Sequence, residues 1–428
     1  MQFSHIYIKK LFGLYDYKLD LFYDSEDKLT ILTGPNGYGK TTILTIINKL
    51  NPRELFYFYL LKFERIEVGM MDGSCINIYQ KYIEKEKKQK ETGNGSDIKL
   101  DSEKEVRFEW MDPEKNVVSF FVYNTQNIDK AQRRSLYQLY FSNKSENDYD
   151  KNELLNNRQF NENIAHSLGQ GTFLMQLEGI KSDFIKANRI YNEINEKAKD
   201  LPIQRIKKNL KDILTSANKE FLEQSQRIEK RFINDILSCD NSIIEENKYN
   251  EMAKVVTDKC NDLIKFRLTD KIEIPSYVEN KSYLLYSYIK SLNEKFDKFG
   301  NLPDKLNLYE KLISSKKFAN KKISFSTQHG FLIVSDTGEF LDESLLSSGE
   351  QNEIVLLYKL IFEISDNSTL LIDEPENSLH VAWQSVFLDD IKEIARIKRL
   401  QVIISTHSIT IVSNGEENAI DLFYLLKN

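Results

Sequence analysis

A glycine-rich segment near the amino terminus constrains the fold of this chain more than any other feature. Residues 34–42, Gly-Pro-Asn-Gly-Tyr-Gly-Lys-Thr-Thr, stand between an apolar run at 29–32 and a second apolar run at 43–47. A strand, a glycine-rich turn and a helix in this order are typical of a phosphate-binding loop, whose amides face an anion. The alternative for this segment alone is an ordinary glycine turn. The residues that we predict to contact the phosphates are Asn36, Gly37, Gly39, Lys40, Thr41 and Thr42.

Two side chains of this loop have the chemistry that a nucleoside triphosphate requires. The Lys40 ammonium group can reach the β- and γ-phosphates, and the Thr41 hydroxyl can ligate Mg²⁺. The loop therefore predicts a phosphate-binding site that also holds a metal ion.

The composition limits the class of protein but does not identify a binding partner. A length of 428 residues predicts two or three domains, and the net charge of −6 neither favours nor excludes nucleic acid. Three scattered cysteines, Cys75, Cys239 and Cys260, have no metal or disulfide spacing, so we expect a reducing, cytoplasmic compartment. No apolar run is long enough to span a bilayer, and we expect no membrane segment.

The pattern along the chain predicts an α/β fold interrupted by helices. We predict three segments: an α/β lobe at 1–150 with a β-rich part, a helical insertion at 151–319, and a second α/β lobe at 320–428. Pro202 marks a helix start or a helix break. For the insertion we favour a short antiparallel helical arm, and the alternative is a plain helical domain, since no strict heptad persists.

Alternation and apolar runs predict the individual elements. A charged tract at 84–104 has little to bury and predicts a mobile hairpin tip or a loop. We predict helices at 349–363 and 381–398. The predicted strands are 63–68, 74–79, 105–110, 117–122, 322–326, 331–334, 369–372, 401–404 and a last one near 422–425.

An acidic pair ends one of the apolar strands. Leu371-Ile372-Asp373-Glu374-Pro375 places two carboxylates at the carboxyl end of a buried strand, where α/β sheets bind ligands. We predict that Asp373 holds Mg²⁺ through water and that Glu374 polarises the attacking water. The alternative is a solvated acidic turn.

Two further motifs follow the same logic. Residues 346–351, Leu-Ser-Ser-Gly-Glu-Gln, open a helix and present amides and a hydroxyl to an anion. An ordinary helix cap explains the same residues, with Ser347 or Ser348 as the cap and Gln351 completing a capping box, and both can hold together. His407, in Ser-Thr-His-Ser after the next apolar strand, is placed to reach a γ-phosphate. Without the other motifs, the favoured interpretation would be a histidine whose ring is hydrogen-bonded within the protein at the end of a strand.

These four motifs, in this order, resemble the Walker A, signature, Walker B and H-loop motifs of ABC-type ATPases. The resemblance covers both ends of the chain and not its middle. It implies an ABC-type P-loop ATPase head formed by the two terminal lobes, with ATP and Mg²⁺ bound. It also implies a head-to-tail dimer in which Ser347 and Gly349 act on the nucleotide of the partner subunit, with Lys40, Glu374 and His407 as catalytic residues.

The resemblance extends to further positions. Gln126, after an apolar strand, is the best candidate for a Q-loop glutamine that senses Mg²⁺ and the γ-phosphate; the alternative is a polar loop residue. Residues 377–380 resemble the D-loop, which in the family touches the partner subunit. Tyr15 and Tyr17 could stack on adenine, although we favour a role in the core or on the sheet surface.

The spacing of the motifs selects a subclass. About 300 residues separate Thr41 from Ser347, more than in transporter subunits and far fewer than in SMC proteins. Together with Asp-Glu-Pro-Glu-Asn-Ser-Leu-His at 373–380, this resembles the OLD-like and RecF-like ATPases, which include the anti-phage subunits AriA of PARIS and PtuA of Septu.

This subclass implies a function. We expect an ATPase subunit of a bacterial defence complex that controls a separate Toprim or HNH nuclease, because the chain leaves no room for a Toprim domain after His407. The alternative is a RecF-like or SMC-like clamp whose helical arm contacts DNA. A modest excess of basic residues at 205–211 and 227–231 favours this alternative, although such runs usually form only the solvent-exposed face of a helix.

Overall fold

The computed structural model describes residues 1–22, 25, 27–83, 103–123, 171–186, 201–237, 244–316, 318, 321–377, 379 and 381–426. The chain divides into two compact units, the first comprising Met1–Glu193 and Ile364–Asn428, the second Ile194–Glu363. The predicted boundaries at 150/151 and 319/320 fall outside the described residues, as do residues 84–102 of the loop predicted at 84–104, so these stay predictions. The last two residues of that predicted loop, 103 and 104, instead begin the strand Glu103–Met111.

The described strands fall into three sheets. Their bounds are β1 Phe3–Leu11, β2 Tyr15–Asp20, β3 Leu29–Thr33, β4 Arg65–Met70, β5 Cys75–Ile83, β6 Glu103–Met111, β7 Val117–Tyr123, β8 Ser182–Lys186, β9 Lys321–Ser326, β10 Gly330–Ser335, β11 Phe340–Leu341, β12 Thr369–Asp373, β13 Gln401–Ser405 and β14 Ala419–Asp421.

The described α-helices are distributed over both units. Their bounds are α1 Lys40–Asn48, α2 Phe56–Leu60, α3 Gly171–Leu177, α4 Pro202–Leu237, α5 Glu246–Lys265, α6 Ser282–Phe296, α7 Leu302–Ser315, α8 Ser348–Tyr358, α9 Val381–Gln384, α10 Phe387–Lys398, α11 Ile409–Ser413 and α12 Leu422–Leu425. Among the described residues, no helix is both long enough and apolar enough to cross a membrane.

A parallel sheet in the first unit carries the predicted motifs. Its strand order is β14-β3-β13-β12-β8, and all five residues of β12 and of β13 are buried. Both strands are near-continuous apolar runs, as expected for a sheet that is covered on both faces. Because β13 pairs with β3 on one side and β12 on the other, the carboxyl ends of these three strands lie side by side. The predicted α/β fold is confirmed.

The strand predicted near 422–425 is wrong. Leu422–Leu425 is a short helix, and the edge strand β14 ends just before it at Asp421. The Asp421 carboxylate accepts the Phe423 N–H at 2.8 Å, a helix cap that apolar composition alone does not reveal.

An antiparallel sheet of order β2-β1-β4-β5-β6-β7 completes the first unit. Strands β4 to β7 confirm the strands predicted at 63–68, 74–79, 105–110 and 117–122. Aromatic side chains fill its core, with Phe108, Phe121 and Phe173 all fully buried. The Gln401 side chain accepts the Phe3 N–H at 2.7 Å and donates to the Phe3 carbonyl at 2.6 Å, so it joins the first strand to the start of β13.

The second unit is mostly helical and also contains the antiparallel strands β9, β10 and β11. Helix α4 begins at Pro202, as predicted, because proline suits the first helical turn. Helix α6 packs against both α4 and α5, with Phe221 stacked on Phe296 at 6.2 Å between ring centroids. Residues 201–237 and 244–315 are mostly helical, as the sequence predicts. Ser182–Lys186 also lies in the range predicted as a helical insertion, but it is strand β8 of the parallel sheet.

Candidate active site

The glycine-rich loop curls where the sequence predicts. Gly34, Gly37 and Gly39 have φ angles of 135°, 86° and 86°, which favour glycine. The Tyr17 hydroxyl donates to the Tyr38 carbonyl at 2.7 Å, and the Tyr38 ring stacks on Tyr15 at 5.5 Å. The aromatic side chain of Tyr38 therefore packs on the antiparallel sheet while the loop backbone keeps its curl.

The two central glycines differ in their surroundings. A Cβ atom added to Gly37 would meet no atom within 4 Å, whereas one added to Gly39 would lie 3.1 Å from Leu11 Cδ2. Gly37 therefore borders open space, and Gly39 packs on β1. The open side of the loop leaves room for phosphate groups next to the amino terminus of α1, so the loop fits a nucleotide.

Lys40, the first residue of α1, is buried and points back along the loop. Its ammonium group donates to the carbonyls of Gly34 at 2.8 Å and Pro35 at 3.3 Å, and contacts His407 Nε2 at 2.8 Å. Since an ammonium group only donates, His407 Nε2 is the acceptor in this contact. Burial lowers the pKa of Lys40, and nearby carboxylates, first that of Glu374, partly oppose the shift.

Asp373 ends β12 beside the first turn of α1. The Thr41 hydroxyl lies 3.0 Å from each carboxylate oxygen, and the Ser405 hydroxyl donates to Oδ1. A hydroxyl and a carboxylate side by side are oxygen ligands of the kind that Mg²⁺ prefers. The donor set fits the predicted metal site.

Glu374 follows directly and has a strained backbone. Its φ angle is 49°, unusual for a residue with a side chain, and its N–H donates to the Ser405 carbonyl at 2.8 Å. Asn377 Nδ2 donates to Glu374 Oε2 at 2.8 Å, and Oε1 lies 3.9 Å from His407 Nε2. The backbone turn thus directs the carboxylate toward His407, and strain of this kind is common at functional sites.

Three residues of this region were not singled out from the sequence. Glu376 accepts the His407 N–H at 2.6 Å and the Thr406 hydroxyl at 2.8 Å. Gln384 accepts the Ser408 hydroxyl at 2.8 Å. The available signal was position alone, since Glu376 lies two residues after Glu374 and Thr406 lies directly before His407.

The signature residues Ser347 and Gly349 belong to the second unit. Ser347 caps α8: its hydroxyl accepts the Glu350 N–H at 3.2 Å, while the Ser347 N–H donates to Glu350 Oε2 at 2.7 Å. A capping box is therefore present, but Glu350 completes it, whereas the sequence predicts Gln351 in this role. Lys321 Nζ contacts both Glu350 oxygens, at 3.1 and 3.0 Å.

Burial by itself would raise the pKa of the Glu350 carboxyl. The hydrogen bonds from Ser347 and Lys321 outweigh that effect and hold the pKa below its ordinary value. The carboxylate that braces the start of α8 is therefore ionised at neutral pH.

The other predicted positions have varied settings. Asn36 is exposed beside Gly37, and Thr42 is half-buried in α1. Gln126 lies outside the described residues, so its Q-loop role stays a prediction. Tyr17 is buried, and Tyr15 is engaged with Tyr38.

Comparisons with known proteins place the chain in a family. No curated protein matches the chain. Among solved structures, the SMC head bound to the C-winged helix domain of ScpA shares 12% identity, with 97% of this chain and 92% of that chain covered and a TM-score of 0.33. The SMC head domain from Thermotoga maritima shares 13% identity over 98% of this chain and 92% of that chain, with a TM-score of 0.32. The AAA ATPase domain family matches residues 1–412. Since this match spans most of the sequence, the chain belongs to the AAA ATPase domain family.

Proposed function

We propose that the chain binds Mg²⁺–ATP at the edge of the parallel sheet and hydrolyses it as an ABC-type ATPase. One observation carries this proposal: Lys40, Thr41 and Asp373 converge with Glu374 and His407 at the carboxyl ends of three adjacent strands. The family supports ATPase chemistry in general.

Each residue has a role that its surroundings support. The Thr41 hydroxyl and the Asp373 carboxylate would hold Mg²⁺, which when bound neutralises charge on phosphate oxygens. Lys40 is buried. Because water screens a buried charge less, its ammonium group binds a phosphate oxygen more strongly than that of an exposed lysine would. Glu374 acts as the general base for the attacking water.

His407 contributes through Lys40. Its Nε2 accepts from the Lys40 ammonium group at 2.8 Å, so a ligand that draws Lys40 toward phosphate frees the imidazole at the same moment. His407 is then available to contact the γ-phosphate, and the same event reports that a triphosphate is present. This exchange gives the nucleotide a direct influence on the loop at 405–408.

We further propose that two copies complete one another's site, with Ser347 and Gly349 supplied in trans. The fixed cap of α8 presents the helix amino terminus, which favours anions. Sedimentation of Glu374→Gln with ATP should show a dimer, and the additional change Ser347→Arg should restore the monomer. Ser314→Arg, an exposed serine of the same unit, is the matched control. A Glu374→Gln protein that stays monomeric with saturating ATP would contradict the sandwich.

The biological role that we propose is control of a separate nuclease, of Toprim or HNH type, in a bacterial anti-phage complex. The support is the resemblance of residues 373–380 and of the motif spacing to OLD-like ATPases. Affinity purification of the tagged chain from its native operon, with ATP and with Glu374→Gln, should capture a neighbour-encoded nuclease. Purification of the chain alone under both conditions would argue against this role.

An ATP-dependent DNA clamp is the second candidate. On α4, Lys208, Lys211 and Lys230 are exposed, whereas Lys207 and Arg231 are paired with Glu343 and Glu294. Part of the basic run is therefore available for phosphates. Binding to a labelled duplex should fall steeply with salt and increase with ATP if the clamp is correct, and no retention at low salt would exclude it.

A further inference from the structure

The acidic loop after β12 and the loop after β13 are joined by one carboxylate. Glu376 uses Oε1 to accept the His407 N–H at 2.6 Å and Oε2 to accept the Thr406 hydroxyl at 2.8 Å. Its two oxygens therefore hold the main chain of one residue and the side chain of its neighbour. Hydrogen bonds to a charged acceptor are the strong ones, so this bridge restrains the loop that carries His407.

A ring of hydrogen bonds closes around the same bridge. The Thr406 hydroxyl accepts the Ser408 N–H at 2.9 Å, and the Ser408 hydroxyl donates to Gln384 Oε1 at 2.8 Å. Gln384 Nε2 in turn lies 3.5 Å from the Glu376 carbonyl and 3.4 Å from the Leu379 carbonyl. The ring runs from the acidic loop through α9 and back, so neither loop shifts without disturbing the other.

The neighbouring carboxylates have different surroundings. Glu374 accepts a hydrogen bond from Asn377 through Oε2, and its Oε1 lies 3.9 Å from the His407 ring. Glu376 instead has both oxygens engaged by donors of the 406–407 segment. The Glu374 carboxylate is placed to act on a reacting group, and the Glu376 carboxylate is placed to restrain the loop at 405–408.

We propose that Glu376 is a positioning residue, which fixes the His407 loop through Thr406 and the His407 amide and so sets the imidazole beside Lys40 and Glu374. Glu376 contributes to turnover by holding these groups in register, and it transfers no proton and binds no metal. This inference rests on the proposed ATPase function, and the experiment below separates the two.

The test compares Glu376→Ala, Glu376→Gln, Thr406→Ala and the Glu376→Ala/Thr406→Ala double variant, with Glu416→Ala as a control at an exposed glutamate of the same unit. The kcat and KM for ATP and the affinity for a non-hydrolysable ATP analogue are measured for each protein. Since misplacing a catalytic group by about 1 Å can cost about 100-fold, Glu376→Ala should lower kcat by about 10- to 100-fold. Nucleotide affinity should stay within about 3-fold of wild type, because Lys40, Thr41 and Asp373 remain in place.

Rescue by the amide distinguishes positioning from chemistry. Glutamine keeps one oxygen for the His407 N–H and can donate to the Thr406 hydroxyl, so Glu376→Gln should recover most of the lost kcat. A general base or a metal ligand would be lost in both variants alike. Equal loss of kcat in Glu376→Gln and Glu376→Ala would therefore overturn the proposal.

The double variant tests the bridge itself. If Thr406 acts through Glu376, the double variant should be no slower than Glu376→Ala alone, and fully multiplicative losses would overturn the bridge. If Glu376→Ala does not fold, Thr406→Ala and Glu376→Gln still decide: a Thr406→Ala protein with wild-type kcat contradicts the proposal. A wild-type protein without ATPase activity would instead count against the ATPase function. If the wild type is active, Lys40→Ala is inactive and Glu376→Ala turns over as wild type does, only the positioning role is overturned.

Discussion

The Thr41 hydroxyl lies 3.0 Å from each carboxylate oxygen of Asp373, although 332 positions separate the two residues in the chain. The contact joins the first turn of the helix after the glycine-rich loop to the end of β12. It places two oxygen ligands of the proposed Mg²⁺ site in direct contact.

Asp373→Asn should weaken Mg²⁺-dependent ATP binding while leaving the loop folded. The amide keeps the shape of the side chain and loses the charge that holds a hard cation. We expect the Mg²⁺ concentration for half-maximal binding to rise by about 10-fold or more, measured by titration with a fluorescent ATP analogue. Thr45→Ala, at the third threonine of α1, is the control and should leave this concentration unchanged. An unchanged value in Asp373→Asn would remove Asp373 from the metal site.

Lys40→Ala should remove most of the affinity for ATP. The ammonium group is buried beside His407, and a hydrogen bond to a charged group contributes about 1.5–3 kcal/mol, so affinity should fall by about 10- to 100-fold. Isothermal titration with a non-hydrolysable analogue measures this change. Lys18→Ala, at an exposed lysine of β2, should bind as wild type does, and tight binding by Lys40→Ala would show that another group neutralises the phosphates.

Glu374→Gln should separate binding from hydrolysis. The amide cannot accept the proton of the attacking water, so kcat should fall by about 100-fold or more while ATP affinity is retained. Phosphate release under single-turnover conditions measures the loss. Asp389→Asn, at an exposed carboxylate on α10, is the matched control. Wild-type turnover by Glu374→Gln would show that a different group activates water.

Alanine should be tolerated differently at the two central glycines of the loop. Both have a φ angle of 86°, so each substitution costs about 1–2 kcal/mol of backbone strain. Only at Gly39 does the new Cβ press on Leu11, at 3.1 Å, which adds about 1 kcal/mol or more. Urea unfolding should therefore rank Gly39→Ala below Gly37→Ala in stability, and the reverse order would contradict this description of the loop.

The Lys321–Glu350 contact should stabilise the second unit in a pH-dependent way. The folded pKa of Glu350 lies below the ordinary value of 4.5, so its contribution is complete above that value and is lost as the pH falls through the lowered folded pKa. Glutamine preserves the capping box and removes the charge. Glu350→Gln should reduce stability by about 1 kcal/mol at most.

Urea unfolding at pH 7 and at pH 3 measures this effect. The difference between wild type and Glu350→Gln should shrink at the lower pH, and the variant Lys321→Gln should behave in the same way. A difference that grows as the pH falls would mean that the charged carboxylate destabilises the folded unit.

Short segments of the sequence determined the local parts of the candidate site. The glycine spacing at 34–39 fixed the loop, because backbone conformations with positive φ exclude most other residues. The acidic pair at 373–374 was identifiable because it ends a fully apolar run, and Ser347 was identifiable as a helix cap. These features depend on neighbours within a few positions.

Tertiary structure alone decided which of these parts meet. Strand β13 lies between β3 and β12, and this order brings His407 to Lys40 and Thr41 to Asp373. Strand order depends on contacts between residues hundreds of positions apart, and the hydrophobic periodicity of the sequence does not encode such contacts. The bridge made by Glu376, the stacking of Tyr38 on Tyr15 and the helix at Leu422–Leu425 were missed for the same reason. A carboxylate or an aromatic ring acquires its role from what it touches, and only the folded chain brings those partners within reach.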